Sequence, residues 1–208
     1  EFGWKSTLMD GRMILNGAIF RSEYDDKQES ILIPVDLTNV ATVVRNASSL
    51  EMDGIELELM YQVTEAWDLM VTYGYLKSEY ANYFADLTGD GIITDNSNLV
   101  PRNTPENTFG ITTSYTTQIG NWELKGRVSY RFRDEMESES QNRPEGSLDS
   151  IENVNATISY SVENYSITAW GRNLTDEREQ RWSTIGGLTS RGWWNEPQTL
   201  GVTFKVSY

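Results

Sequence analysis

The sequence predicts an all-β protein, an antiparallel up-and-down transmembrane β-barrel of which about nine strands are present. Three observations predict this fold. Apolar and polar side chains alternate with a period of two residues, the predicted strands run to about 10–14 residues, and short turns alternate with long polar connections. Strands of globular proteins average roughly 5–6 residues, whereas about 9–11 residues cross a bilayer with tilt. Strand length therefore favours membrane-spanning strands over the strands of a soluble protein.

Composition narrows the functional classes. The chain has 208 residues, 38% of them hydrophobic, and a net charge of −14. This charge weighs against a nucleic-acid partner, because affinity for phosphate comes chiefly from excess Lys and Arg. The sequence contains no His and no Cys, which excludes imidazole and thiolate metal sites, His-based triads and disulfides; any metal must be held by oxygen. The mean hydropathy of −0.52 does not exclude the membrane, because a barrel exposes only every second residue to lipid.

In the first half of the chain, the alternation is clear in two segments and ambiguous in one. Residues 1–5 also alternate as a strand does. In residues 12–25 either face is a candidate for the apolar one, because Met13, Ile14 and Leu15 are consecutive. The two clear segments have apolar side chains at Ile55, Leu57, Leu59, Tyr61 and Val63, and at Trp67, Leu69, Val71, Tyr73 and Tyr75.

The second half repeats the pattern over residues 108–119, 122–133, 153–162, 165–172 and 199–208. Residues 122–133 alternate most sharply, and their polar face is too charged to lie against an apolar core. We predict that this face lines the lumen of the barrel. The alternative is that these side chains do no more than contact the water of the lumen. The predicted lumen-lining residues are Glu56, Glu58, Glu123, Lys125, Arg127, Arg131 and Arg133.

The connections predict which rim of the barrel each loop occupies. Short turns are predicted at residues 9–11, 64–66, 120–121 and 163–164. Long polar stretches lie between them, at roughly 26–46, 81–106, 135–150 and 173–196. Aromatic residues collect at the short-turn ends of strands, as expected for an interfacial girdle. The alternative is a soluble β-sandwich with these rings in its core, but its strands would be shorter.

Several motifs resemble those of a known family when they are taken in order. They are residues 1–5 followed by 10–12, then residues 16–20 with Tyr24, 54–58, 73–75 up to Tyr80, 101–105, 171–176 and 196–201. The chain resembles the C-terminal part of the barrel of a TonB-dependent outer-membrane receptor over essentially its whole length. Such barrels have roughly 22 strands. The resemblance therefore implies that residues 1–208 are the C-terminal portion of one β-barrel domain, with the plug domain and N-terminal strands outside this chain.

The resemblance also implies a function, which is not enzymatic. It implies energy-coupled uptake of a scarce, bulky ligand such as a ferric siderophore, a cobalamin-like molecule or an oligosaccharide, across the outer membrane of a Gram-negative bacterium. The implied partners are the protein's own plug domain, the TonB complex, the small-molecule ligand, and outer-membrane lipid with lipopolysaccharide. The alternatives are a small self-standing barrel that acts as an adhesin or porin, and a soluble carbohydrate-binding β-sandwich.

Aromatic and basic residues in the long connections are candidates for ligand binding, since exposed rings need a reason and Arg binds anionic groups. The alternatives are, for the rings, packing between loops above the barrel or a place in the outer girdle, and for the arginines, solvation. The candidates are Tyr80, Tyr83, Phe84, Arg178, Arg181, Trp182, Arg191, Trp193 and Trp194.

Residues 86–97 have the spacing of a calcium-binding loop, and calcium is the one cofactor that the sequence suggests. Oxygen ligands fall at loop positions 1, 3, 5, 7 and 9, and a glycine falls at position 6. Position 12 is Ser97 instead of a bidentate Glu, so we expect weak binding. The alternative is a solvated Asp-Gly turn. The candidate ligands are Asp86, Thr88, Asp90, Ile92 through its carbonyl, Thr94 and Asp95.

Overall fold

The strands of the protein follow one another with almost no helix between them. The computed structural model describes residues 1–35, 39–178, 180–186 and 189–207. One 3₁₀ turn occupies Pro144–Gly146. The strands are β1 (Phe2–Leu8), β2 (Met13–Pro34), β3 (Val40–Thr64), β4 (Trp67–Ala85), β5 (Thr94–Asp95), β6 (Asn107–Ile119), β7 (Trp122–Arg133), β8 (Met136–Glu137), β9 (Ser147–Leu148), β10 (Ile151–Val162), β11 (Tyr165–Arg172), β12 (Gln180–Gly186), β13 (Thr189–Trp194) and β14 (Thr199–Val206).

Nine of these strands form one antiparallel sheet in the order β1-β2-β3-β4-β6-β7-β10-β11-β14. The predicted all-β fold and its nine strands are confirmed. Strand β5 pairs with β4, whereas β8–β9 and β12–β13 are separate hairpins in the long connections. A single sheet replaces the alternative of a sandwich, which needs two packed sheets. In the described residues β1 and β14 are the two edges of the sheet and do not pair with each other.

The four short turns predicted from the sequence are confirmed. They join β1 to β2, β3 to β4, β6 to β7 and β10 to β11. The first turn places Met9 and Asp10 at φ values of 54° and 55°, and Gly11 at 88°. The last of the four has Glu163 at 48°. These left-handed positions reverse the chain within a few residues, so consecutive strands pair directly.

Cross-strand pairing settles which face of residues 12–25 is apolar. Residues that are directly opposite in adjacent strands share a face of the sheet. Ile19 lies opposite Ile55, and Leu15 lies opposite Leu59. The odd-numbered side chains of this part of β2 therefore join the apolar outer face, and Asn16 joins the inner face opposite Glu58.

Aromatic side chains mark the short-turn rim on the outer face. The rings of Trp122 and Tyr160 stack with centroids 4.4 Å apart, and those of Tyr165 and Phe204 lie 6.4 Å apart. The indole Nε1 of Trp67 donates a hydrogen bond to Thr113 Oγ1 at 2.7 Å. Amphipathic rings are favoured where hydrocarbon meets water, which fits the predicted girdle.

Strands β2, β3 and β4 continue far beyond the apolar band of the outer face. They have 22, 25 and 19 residues. The next outward row above the band is charged and contains Arg21, Asp53 and Lys77, and Arg21 Nη2 lies 2.6 Å from Glu51 Oε2. In the predicted transmembrane barrel, this row marks where the strands leave the hydrocarbon. We call residues 20–34, 40–54 and 76–85, which lie above the band, the arm.

The arm and strand β13 correct the predictions for three groups of residues. The stretch 26–46 was predicted to be a long polar connection, but most of it is strand, because Ile31 and Val43 pair in a β-branched ladder. A break in register between Tyr24 and Lys27 had interrupted the period-two pattern. The second correction concerns Tyr80, Tyr83 and Phe84, which lie in β4 and not in a loop. Trp193 and Trp194 likewise lie in strand β13, not in irregular loop.

Among the described residues, no helix is both long and apolar enough to cross a membrane.

The facing of β7 gives a testable prediction. Val128 lies near the middle of β7 and points to the outer face of the sheet, whereas its neighbour Ser129 points to the inner face. We expect Val128→Arg in the intact protein to cost about 2–4 kcal/mol of folding free energy, because in the predicted transmembrane barrel it places a charge near the middle of the bilayer. Ser129→Arg is the matched control and should cost little. Urea unfolding in lipid vesicles measures both, and equal costs would contradict the facing.

Candidate functional site

The inner face of the sheet forms a concave polar wall. Pairing across β7 places Arg131 opposite Gly110 and Arg133 opposite Thr108, and these rows continue across the sheet to Glu58 and Glu56. The inner side of strands β1 to β7 encloses a concavity of about 990 Å³. The seven predicted lumen-lining residues all lie on this inner face: Glu56, Glu58, Glu123, Lys125, Arg127, Arg131 and Arg133. That they line the lumen of a closed barrel stays a prediction.

A small apolar cluster lies above this wall, on the inward side of the arm. It consists of Ile31, Leu50, Tyr80, Tyr83 and Ala85. Leu50 lies on the same face of β3 as Glu56 and Glu58, because even-numbered residues of one uninterrupted strand share a face. The cluster therefore lies on the same side of the sheet as the concavity, farther from the short turns. We call the cluster and the connections 86–106 and 134–150 the canopy.

The canopy shows where the predicted aromatic ligand contacts lie. Tyr80 and Tyr83 are 5% and 0% exposed, and their ring centroids are 4.8 Å apart. They pack within the canopy, as the alternative interpretation expects, and contact with a ligand stays a prediction for them. Phe84 is 54% exposed.

Glu29 is a fully buried carboxylate at the centre of the canopy. It accepts hydrogen bonds from Tyr80 Oη at 2.9 Å and from Ser140 Oγ at 2.5 Å, and it pairs with Lys27 Nζ. Arg102 Nε lies 3.9 Å from Glu29 Oε2. A buried charge persists only when it is paired and hydrogen-bonded, and this one is.

The electrostatics of this group are consistent with an ionised Glu29. Burial alone would raise its pKa, but hydrogen bonds from Lys27, Ser140 and Tyr80 outweigh burial and lower the pKa below the ordinary 4.5. Burial and the charge of Glu29 raise the pKa of Tyr80 and of Tyr83 above the ordinary 10, so both phenols are neutral. Tyr80 is therefore able to donate to the carboxylate.

Three consecutive residues of the connection 134–150 hold it against the arm and against two points of the connection 86–106. Ser140 bonds Glu29 of the arm, and Gln141 Nε2 donates to the carbonyl of Leu87 at 2.9 Å. Asn142 makes two bonds to the backbone of Val100, at 2.6 and 2.9 Å. We call residues 140–142 the clasp. It links parts of the chain that are up to 111 residues apart in the sequence.

The sequence analysis missed Glu29, Arg102 and the clasp. The only local signal is an acid two residues before the apolar residues 31–33, which is unusual for a solvated loop. The polar residues of the clasp carry no pattern of their own. Their role depends on contacts that are distant in sequence.

A second group of candidates lies in the connection between β11 and β14. Asn173, only 4% exposed, donates to the carbonyls of Glu177 and Glu196, each at 3.0 Å, and so ties the two ends of this connection together. Arg178 and Trp194 line a small cavity of about 180 Å³ together with Asp149 and Glu177.

The remaining candidates of this group are less constrained. Trp193 and Trp194 are 74% and 60% exposed, and Arg191 is also exposed. The side chains of Arg181 and Trp182 lie outside the part of the chain that the structure describes. The structure thus brings Arg178 and Trp194 together, while Tyr80 and Tyr83 belong to the canopy cluster.

The carboxylates of the acidic loop bond to its own backbone. Asp86 accepts from the backbone amides of Thr88, Gly89 and Gly91 at 2.7–3.1 Å; burial alone would raise its pKa, but these bonds outweigh burial and lower the pKa. Asp90 accepts from the Ile92 amide at 2.8 Å, and Asp95 accepts from Ser97. Within the described residues, no three His, Cys, Asp or Glu side chains are grouped to hold a metal ion. Calcium binding to the loop stays a prediction.

Comparison with known proteins identifies the family. Residues 1–174 match the family described as TonB dependent receptor-like, beta-barrel. The chain belongs to the TonB-dependent receptor family. Its members and structural neighbours are outer-membrane β-barrel transport receptors and not enzymes.

Two relatives illustrate the likeness in sequence. The probable TonB-dependent siderophore receptor PiuA of Acinetobacter baumannii is 33% identical over 79 residues, which are 38% of this chain and 10% of that protein. The ferric-pyoverdine 358 receptor of Pseudomonas putida is 26% identical over 136 residues, 64% of this chain and 15% of that protein. The chain therefore spans only a small part of the length of these relatives.

Solved structures show the same fold. The ferric yersiniabactin uptake receptor FyuA of Yersinia pestis superimposes with a TM-score of 0.75 at 15% identity, over 99% of this chain and 29% of that one. The siderophore receptor PiuA of A. baumannii gives 0.74 at 23% identity, over 99% and 28%.

The clasp gives a prediction about the canopy. We expect Ser140→Ala to lower the free energy of opening of segment 134–150 by about 1–3 kcal/mol, because it leaves the buried Glu29 with one donor fewer. Protease cleavage within this segment of the intact receptor measures the change. Ser150→Ala, an exposed serine of the same connection, is the matched control. Equal cleavage of the two variants would show that the clasp does not hold the canopy closed.

The calcium loop gives a separate prediction. We expect an affinity no better than about 10⁻⁴–10⁻³ M, because the bidentate ligand is missing and loop amides compete for Asp86. At several millimolar, calcium should protect residues 81–106 from protease, and Asp90→Ala should remove that protection. Absence of protection in the unmodified loop would make this segment a solvated turn.

Proposed function

We propose that the intact protein is an outer-membrane receptor of a Gram-negative bacterium that takes up a ferric siderophore with energy supplied through TonB. The observation that carries the proposal is the family match over residues 1–174, together with relatives that are named as siderophore receptors. The matched solved structures include receptors for ferric yersiniabactin and ferripyoverdine. A siderophore is therefore favoured over a cobalamin-like molecule or an oligosaccharide.

The geometry of the chain supports this proposal in two ways. The inner face carries charged and polar side chains around a concavity of about 990 Å³, large enough for a bulky chelate. The long connections pack together as the canopy at one rim, whereas the opposite rim has only short turns. Such asymmetry suits a receptor that binds its ligand on the outer side, and it favours a receptor over a self-standing adhesin or porin.

The proposed partners follow from the same assignment. The wall formed by β1–β14 would enclose a plug domain from the same polypeptide, and the TonB complex would act on a segment outside these 208 residues. The apolar outer face and its charged upper row would contact outer-membrane lipid and lipopolysaccharide.

A pair of strains with and without the intact receptor tests the proposal under iron limitation. Radioactive iron is supplied as ferric pyoverdine, ferric yersiniabactin and a ferric tris-catecholate, and its accumulation is measured. We expect the receptor to increase accumulation from at least one chelate, and loss of TonB to abolish the increase. Accumulation that is unchanged by the receptor, or independent of TonB, would contradict the proposal.

A further inference from the structure

Strand β7 carries a series of cations along its inner face. Arg133, Arg131, Arg127 and Lys125 all point inward, and Glu123 follows them near the short turn. Residues two apart on a strand are separated by about 7 Å, so the series extends about 27 Å along the strand. We call these four residues the cation ladder.

The single gap in the ladder is filled from another strand. Ser129 takes the inward position between Arg127 and Arg131, and it lies opposite Asn155 of β10. Because Ala156 lies opposite Gly171, the next inward residue of β11, Arg172, falls beside Asn155 in that row. Every row of the wall from Arg133 down to Lys125 therefore presents a cation.

No acid lies opposite the ladder on either neighbouring strand. The partners of its four residues on β6 are Thr108, Gly110, Ser114 and Thr116, and those on β10 are Ile151, Asn153, Thr157 and Ser159. Apart from Glu123 at the end of β7 itself, the nearest acids of the same face are Glu56, Glu58 and Asp68, which lie on β3 and β4. Within the described part of the chain, Lys125, Arg127 and Arg131 form no ion pair.

The ladder contrasts with the rest of the molecule. The chain has 31 acidic and 17 basic residues, yet this strip of its inner wall is basic. Like charges about 7 Å apart repel each other, and the repulsion strengthens where the lumen limits the access of water. An anion that lies along the strip removes this repulsion, whereas an uncharged molecule does not.

We propose that the cation ladder is the track along which an anionic metal chelate passes through the lumen, so that the transported ligand carries net negative charge. This inference rests on the proposed function and specifies the class of its ligand. An aromatic platform lies at the level of Arg127, where Trp170 shares the row through Thr157. The Arg172 guanidinium lies 5.2 Å from the centroid of the Trp170 ring, which adds a surface for planar groups of the chelate.

Uptake of two ferric complexes of opposite character by the intact receptor tests the inference. The probes are a ferric tris-catecholate, which is multiply anionic, and a ferric tris-hydroxamate, which is uncharged. We expect the unmodified receptor to accumulate iron faster from the anionic probe. The double variant Arg127→Glu, Arg131→Glu should lower that initial rate about tenfold or more, the lower end of electrostatic steering effects, and leave the uncharged probe within about twofold. Arg127→Lys with Arg131→Lys should restore the anionic rate, because the charge is kept.

A control variant and the combined results from the two probes show which proposal a negative result would contradict. Arg45→Glu reverses one charge at an exposed position of the arm, half the charge change of the double variant, and controls for net charge. If iron accumulates at equal rates from both probes and the glutamate substitutions change neither rate, the inference about the ladder is wrong and the proposed function still stands. A loss of both rates together with lower heat resistance of the receptor would also overturn that inference, since the ladder would then pair with an acidic part of the same polypeptide. Accumulation from neither probe would count against the proposed function itself.

Discussion

The structure depends on one constraint: a backbone that enters hydrocarbon must satisfy all its hydrogen bonds within the protein. The nine strands of the sheet do this for one another in antiparallel ladders. Once they are paired, the period of two residues sends one set of side chains to lipid and the other to the inside. The apolar outer band, the polar concave wall and the continuous cation ladder are all consequences of that division, because pairing aligns like residues of neighbouring strands into rows.

Above the charged row that contains Arg21 and Lys77, water is available and the constraint no longer holds. The arm and its connections need another source of order there. They obtain it from a small apolar cluster and from the buried Glu29, whose donors come from the arm itself and from the distant connection 134–150. A carboxylate buried with satisfied partners fixes the geometry of its neighbours more strictly than apolar packing does, because losing any donor leaves a buried charge short of a bond.

The membrane-spanning part was predictable from sequence because its signal is local. Residues 55–63 and 122–133 alternate without interruption, so the facing of residues such as Val128 and Arg127 follows from their position alone. Residues 12–25 needed the pairing of Ile19 with Ile55, which sequence periodicity does not contain. The arm was missed because the shift between Tyr24 and Lys27 changes the phase of the alternation. The Glu29 contacts were missed because Ser140 is 111 residues away.

The central claim, that one face of each strand meets lipid and the other an aqueous interior, is tested most directly by a spin-label scan of residues 122–133 in the intact receptor. The 208 residues contain no cysteine, so within them only the introduced thiol carries the label. Collision with oxygen, which partitions into lipid, and with a water-soluble nickel chelate is measured at every position. Oxygen accessibility should peak at the even-numbered positions and fall at the odd ones. Accessibility without a two-residue period, or with the opposite phase, would contradict the claim.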